Sequence, residues 1–325
     1  MSAPPPRAAV VVGTRGSALA RAQTELVGDL LRMAWHGLEC EVRPIVTAGD
    51  RTQASGQPLP EIGGKGLFTA ELEQALRDGG IDLAVHSLKD LPTEDTTGVA
   101  IGAVCAREDV RDCVVSRDSL GLADLPSGAV VGTSSLRRQA QLMSLWPHLK
   151  TGSIRGNVDT RIRKVREGEF DGVLLAAAGI RRLGLDSAVS EWLEPETMLP
   201  APGQGALAVQ CRDDDESIIQ LVAAIDDPSA RAETAAERAF LRMLAAGCTA
   251  PVGAHATVVT EAERAPSGSE PLRSLRVRMV ALVASPDGRE VVRVSGTGEP
   301  VELGARLARE ALDTGADRML EEIRA

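Results

Sequence analysis

Aromatic residues are scarce in this 325-residue chain: three Phe, three Trp and no Tyr, 2% of the total. Recognition of nucleic acid by rows of stacked rings is therefore not expected. A formal charge of −10 also opposes non-specific attraction to polyphosphate, unless basic residues are concentrated in one place. Cysteine is equally sparse. Cys40, Cys105, Cys113, Cys211 and Cys248 make an odd number without a close pair, which argues against a disulfide framework or a zinc knuckle. Four His with no His-Glu-x-x-His arrangement leave no expected metal site. No apolar run approaches the roughly 20 residues that cross a bilayer. The opening Met1-Ser2-Ala3-Pro4-Pro5-Pro6-Arg7 lacks the charged start and apolar middle of a secretory signal. The expectation is a cytoplasmic protein, without nucleic-acid or membrane partners and with no heptad seam to imply more than a monomer.

What is present is the ordinary mix of a soluble protein, 43% hydrophobic and 25% charged, in a length that suits two or three domains. From residue 8 to about 225 short β-rich runs alternate with helical stretches. Strands are expected at Ala8–Val12, Glu41–Thr47, Leu83–His86, Val99–Val104, Asp112–Ser116, Val130–Gly132 and Gly172–Ala176. Helices are expected at Ala18–Met33, Thr69–Asp78, Ser135–Leu145 and Val158–Glu167. Such alternation predicts α/β domains whose ligand sites gather beyond the carboxyl ends of the strands. The last hundred residues read as a smaller α+β domain: a long helix over Ser229–Ala245, three strands, the hairpin signal Ser285-Pro286-Asp287-Gly288 and a final helix over Val301–Ile323. No internal repeat is evident. Arg51–Gly66 is rich in Gly and Pro with little periodicity, the composition of a mobile lid.

Charge is not spread evenly. Thr133–Arg166 holds eight basic residues, including Arg137, Arg138, Arg155 and Arg161, and one acid, Asp159. A solvated helix face accounts for Arg163, Lys164 and Arg166 as readily as a site does. Arg137, Arg138 and Arg155 follow small polar turns at strand ends, Gly132-Thr133-Ser134-Ser135 and Thr151-Gly152-Ser153, where backbone donors and hydroxyls face a ligand. Guanidinium forks match carboxylates and phosphates, each charge-assisted bond contributing about 1.5–3 kcal/mol, so a small polyanion is the economical ligand. Gly63-Gly64-Lys65-Gly66 lacks the spacing and hydroxyl of an ATP loop, and no Gly-x-Ser-x-Gly elbow occurs. In Asp82-Leu83-Ala84-Val85-His86-Ser87-Leu88-Lys89-Asp90 an apolar strand stops at an adjacent cation and carboxylate, either a loop ion pair or two pocket residues.

Seven motifs in order, Arg15-Gly16-Ser17, Gly63-Gly64-Lys65-Gly66-Leu67-Phe68, His86 to Asp90, Gly132 to Arg138, Arg155-Gly156-Asn157-Val158-Asp159-Thr160-Arg161, Pro200-Ala201-Pro202-Gly203-Gln204-Gly205 and Gly247-Cys248, closely resemble the porphobilinogen deaminase (hydroxymethylbilane synthase) family. The resemblance runs from about Val10 to Cys248 and more weakly beyond. It implies a transferase of tetrapyrrole biosynthesis that condenses four porphobilinogen molecules into linear hydroxymethylbilane, releasing ammonia at each step. It also implies a dipyrromethane cofactor joined by a thioether to Cys248, although a lone Cys is ordinarily a small buried hydrophobe. Asp90 takes the place of the family's catalytic carboxylate, stabilising cationic intermediates. Lys89, Thr133, Ser135, Arg137, Arg138 and Arg155, with Asp90 and Cys248, match cofactor-binding positions. Arg15, Ser17, Lys65, Phe68, Arg161 and Arg182 match positions for substrate and growing oligopyrrole.

The implied fold is two doubly wound anion-binding-type domains with an interdomain cleft, residues 7–105 with 204–225 and 106–203, followed by a cofactor-attachment domain over 226–325. The strand Gly205–Cys211 is expected to complete the first domain after the chain returns from the second. Two departures remove positive charge near the expected lid: Ala48 where relatives commonly carry Arg, and Glu61 where Lys is frequent. Ala246 is a smaller departure, where Gly commonly precedes the Gly-Cys pair. A non-catalytic protein that closes on an organic anion is the rival reading, and Cys248 discriminates against it because reversible binding needs no covalent primer.

Overall fold

Val10 and Val12 are buried on one face of a strand whose next residues turn straight into a helix, and this β-turn-α unit is the building element of the first two sheets. The computed structural model describes residues 4–55, 69–245, 250–259 and 275–324. The first sheet contains β1 (Ala9–Thr14), β2 (Glu39–Pro44), β3 (Leu83–Ser87) and β4 (Val99–Val104). The chain then crosses into β5 (Asp112–Ser116), β6 (Val130–Gly132), β7 (Lys150–Gly152), β8 (Gly172–Ala176) and β9 (Glu191–Leu193), and returns to the first sheet in β10 (Leu207–Arg212).

The two sheets have the same plan. Their orders are β2-β1-β3-β10-β4 and β7-β6-β8-β5-β9. In each, the fourth strand is the one that has just crossed from the other sheet, and it runs antiparallel to its neighbours. No internal repeat is legible in the residues, yet the strand order repeats. A repeated strand order requires only matching buried runs and crossover handedness, neither of which demands similar residues. β10 takes the place expected of the returning strand, pairing with β3 and β4.

The third sheet is an antiparallel meander of β11 (Val252–Val258), β12 (Val277–Ala284) and β13 (Val291–Gly298). Helices Pro228–Met243 and Pro300–Ala311 cover it around Phe240, Met279, Leu303 and Leu307. They touch at Gly304, where an added Cβ would lie 2.2 Å from the Ala236 carbonyl oxygen and 2.9 Å from the Phe240 nitrogen. Backbone atoms cannot yield as a flexible side chain would, so Gly304→Ala is expected to destabilise by about 1–3 kcal/mol. A lower denaturant midpoint with an unchanged slope is the expected reading, and an unchanged midpoint would refute the close crossing.

Two further expectations change. The single final helix is broken: Pro300–Ala311 and Asp317–Arg324 are separated by a wide turn in which Gly315 adopts φ 112°, a left-handed conformation open to glycine. The beginning of the expected lid is regular, since Ala48–Ser55 forms a helix; the rest of that stretch, from 56 to 66, lies outside the described residues.

The C-terminal unit is tied to both crossovers by a buried acid. Glu237, fully enclosed, receives both guanidinium nitrogens of Arg107 at 2.8 and 3.0 Å, together with the backbone N–H groups of Gly203 at 2.6 Å and Ala256 at 2.8 Å. Its carboxylate is saturated by donors from the outgoing crossover, the returning crossover and β11. Burying it this way offsets the desolvation that an unpaired acid would suffer.

Candidate active-site cleft

Four strand-to-helix turns face one another between the first two sheets. β1 ends at Thr14-Arg15-Gly16-Ser17, and Ser17 caps the following helix by accepting from the Ala20 N–H at 3.2 Å. β3 ends at the short 3-10 turn Leu88–Asp90. β6 leads through Thr133 to Ser135, the cap of helix Leu136–Leu145. The turn after β7 leads through Arg155 and Gly156 to helix Val158–Arg166. This is the arrangement that collects anionic ligands at the carboxyl ends of strands and at exposed helix N-termini.

A cavity of about 260 Å³ lies among these turns, and its wall includes Arg15, Lys89, Arg138, Arg161 and Arg182 against a single acid, Asp90. Asp90 is exposed at its mouth, and among the described residues no side chain forms an ion pair with it. The possible Lys89–Asp90 loop ion pair is thus not made; the Lys89 Nζ instead donates to Gln204 Oε1 at 3.2 Å. Ser17 also lines the cavity, as do two residues that sequence reading gave no role: Gln23, whose Nε2 donates to Ser87 Oγ at 2.9 Å, and Asn157.

The cations strain against one another. Burial, with the nearby Arg138 and Arg155 charges, brings the Arg161 guanidinium down to about 10. Burial likewise pulls the Lys89 ammonium down to about 8; the Arg138 and Arg137 charges add to the fall, while Asp90 and Asp112 resist it. An arriving carboxylate would relieve this repulsion, so the cleft favours an anion. Arg15 is partly neutralised already, through Nε and Nη2 contacts of 3.1 and 2.6 Å to Asp50.

Behind the wall lies a buried cluster. Asp112, fully enclosed at the start of β5, receives Arg137 Nη1 at 2.7 Å, Arg138 Nη2 at 2.8 Å and Gln204 Nε2 at 2.8 Å. Burial alone would push its pKa up, but the two arginines win and hold the carboxyl far below the usual carboxylate range. Arg137 is 4% exposed and also donates to the Leu199 carbonyl at 2.7 Å, so it stands behind the cavity wall while Arg138 forms part of it. Thr133 is similarly buried, its hydroxyl accepting from the Ser135 N–H at 3.2 Å. Arg155 is half-buried outside the lining but close enough to repel Arg161. Arg163 and Lys164 pair with Glu167 and Glu169 on the outer face, the solvated reading of that part of the run. Lys65, Phe68 and Cys248 lie outside the described residues.

Helix Pro228–Met243 also reaches the site. Arg238 donates to the Leu91 and Pro92 carbonyls at 3.2 and 2.6 Å, and Arg242 Nε to the Thr93 carbonyl at 2.8 Å. These contacts fix the segment that immediately follows Asp90.

The fold is that of an α/β protein of two sheets joined by paired crossovers, and its cationic cleft around one exposed carboxylate suits a small organic anion. Comparison of the sequence narrows the class: residues 10–220 match the family described as "Porphobilinogen deaminase, dipyromethane cofactor binding domain", and residues 231–313 match "Porphobilinogen deaminase, C-terminal domain". The chain belongs to the porphobilinogen deaminase family. Among curated relatives of that name, one from Roseiflexus sp. is 46% identical over 96% of this chain and 98% of its own. One from Thermus thermophilus is 44% identical over 97% and 99%, and one from Macrococcus caseolyticus 42% over 97% and 98%. A solved nutrient binding protein from Burkholderia cenocepacia bound to methionine covers 67% of this chain and 92% of its own, with 13% identity and a TM-score of 0.41.

The residues suit the cofactor that the family description names. Arg138 and Arg182 line the cavity while their Nε groups are buried without a hydrogen-bond acceptor among the described residues. Buried donors of this kind normally have partners. A molecule carrying several carboxylates would supply compensating charge there.

Proposed function

We propose that this chain is a hydroxymethylbilane synthase, joining four porphobilinogen molecules head to tail with release of one ammonia per addition. The observation that carries the reading is the cleft wall of five cations around the exposed Asp90. The division into 7–105 with 204–225, 106–203 and 226–325 goes with it, as do a cytoplasmic location and a monomeric state.

In this reading Lys89, Arg138 and Arg155, with the Thr133 and Ser135 turn, hold the dipyrromethane, and Arg137 supports them from behind through Asp112. Arg15, Ser17, Arg161 and Arg182 take substrate carboxylates, with Lys65 and Phe68 completing that side. Cys248 is the attachment point, a thiolate being the strongest nucleophile a side chain offers. Bound, the cofactor would supply the pyrrole carbon to which the first substrate methylene is joined. Asp90 contributes a fixed negative charge where the aminomethyl C–N bond breaks, nitrogen leaves as ammonia and positive charge spreads over the pyrrole. Such a charge is worth more in a sheltered cleft than in water. It also stands ready to accept the proton that leaves the accepting pyrrole carbon once the new bond has formed.

Intact mass tests the reading. Purified active protein is expected to carry the added mass of two linked pyrroles, on the peptide containing Cys248. Active protein with a free Cys248 thiol would overturn the covalent assignment. A non-catalytic anion-binding protein, the reading that the crossover architecture alone would also suit, would bind porphobilinogen reversibly and release no ammonia.

A further inference from the structure

Gln204 lies on the returning crossover, fully buried, between the cation of the first sheet's Leu88–Asp90 turn and the carboxylate of β5 in the second. Its Oε1 accepts from Lys89 Nζ at 3.2 Å. Its Nε2 faces the Val110 carbonyl at 2.8 Å, the Arg111 carbonyl at 3.2 Å and Asp112 Oδ1 at 2.8 Å. We infer that Gln204 is a positioning residue for the proposed reaction, its amide joining the Lys89 ammonium to the Asp112 carboxylate that anchors Arg137 and Arg138, so that the cations on both sides of the cleft are held in one hydrogen-bonded chain.

An ammonium only donates, so the neighbouring end of residue 204 must accept. Two carbonyls and a carboxylate only accept, so the other end must donate. Among side chains of this length, a carboxamide alone meets both demands at once. Glutamate would set a second carboxylate against Asp112 and two carbonyl oxygens, methionine would meet neither demand, and asparagine is one methylene too short to span the gap. The amide dipole also lies along the chain, with its oxygen toward Lys89 and its N–H groups toward Asp112, so the successive bonds polarise one another in the same sense.

The position gives this chain leverage on binding. Lys89 faces Asp90 on its own turn and the Asp112, Arg137 and Arg138 charges from the second unit. Arg15, Arg161 and Arg182 share its cavity. Among so many cations, the Gln204 oxygen is a nearby neutral acceptor that favours the charged ammonium. Its loss lets the proton leave at lower pH, and Lys89 then offers a carboxylate no charge. Because the backbone carbonyl of Gln204 also receives Arg107 Nε at 2.8 Å, and that guanidinium is fastened to Glu237, the amide is held where both units meet the C-terminal one.

The inference rests on the proposed function, and the test separates the two. Full-length holoenzyme is used, its primer loading verified by intact mass, with porphobilinogen as the probe. Gln204→Met is expected to raise KM about tenfold with a smaller change in kcat, as losing a charge-assisted hydrogen bond implies. The alkaline limb of its kcat/KM profile is expected to move about one pH unit toward neutrality. Gln204→Glu adds negative charge beside Lys89, and its alkaline limb is expected to move the opposite way. A merely structural amide would change stability without displacing either limb. Should Gln204→Met fail to fold, the limb of Gln204→Glu decides. An active wild type whose variants keep its KM and both limbs overturns the Gln204 inference alone. Wild-type holoenzyme that releases no ammonia overturns the functional reading and this inference with it.

Discussion

Asp90→Asn, loaded with primer, is expected to release ammonia and couple pyrroles about 10²–10³-fold more slowly than the wild type, since losing a preorganised electrostatic contact costs roughly 2.7–4 kcal/mol in the transition state. The substitution keeps size and removes charge. Asp90 stands at the cavity mouth, and among the described residues it has no ion-pair partner. Its charge is therefore not already consumed in holding the fold. Arg161→Ala removes a cation from the cavity wall and Arg155→Ala one just outside it, both leaving the acid in place, so they are expected to weaken retention of intermediates and release shorter oligopyrroles. Single-turnover assays with mass spectra of the enzyme-bound oligomers distinguish the two patterns. Near-normal elongation by primer-loaded Asp90→Asn would remove Asp90 from the centre of the reaction.

How far the sequence carries can be judged element by element. Val99–Val104, Asp112–Ser116, Val130–Gly132 and Gly172–Ala176 have the bounds that their apolar runs predict. β7 and β9 are no shorter than Val130–Gly132, but Lys150-Thr151-Gly152 and Glu191-Trp192-Leu193 hold no apolar run, and their pairing is set by neighbours distant in sequence. Helix Glu216–Ala223 and the short helix Ala177–Arg182 were likewise not anticipated. Gly315 was the available signal for the break in the last helix.

The site divides in the same manner. Lys89, Asp90 and Arg138 are legible at strand-ending polar turns, Arg15, Arg161 and Arg182 through the family resemblance, and in the structure all six line one cavity. Arg137 looked identical to its neighbour, yet adjacent helix positions face directions about 100° apart at 3.6 residues per turn, and only one of the two reaches the wall. Asp112 and Gln204 were not assigned a part because their partners come from four separate stretches of chain. An acid beginning the otherwise apolar run Asp112-Cys113-Val114-Val115 was nevertheless a visible anomaly, since a charge is buried only where something pairs with it.

That anomaly carries the other large effect. Asp112→Asn is expected to cost about 3–5 kcal/mol at neutral pH, the usual consequence of removing one partner from a buried ion pair. Arg137 and Arg138 would remain enclosed, 4% and 7% exposed, with no carboxylate between them and Lys89 close by. An asparagine oxygen can accept from some of the three donors that Asp112 satisfies, but it cannot offset their charge. The pH dependence follows from the direction of the Asp112 shift. Its folded value is depressed, so its contribution is complete above the unfolded carboxyl value of about 3.9 and is lost as pH falls below that toward the folded one. The stability gap between wild type and Asp112→Asn should therefore be full at pH 7 and visibly narrower at about pH 3. Denaturant unfolding at both pH values measures it. A gap of the same size at both would mean that the asparagine acts through packing, with the paired charge making no contribution, and the cation cluster behind the cleft would need another explanation.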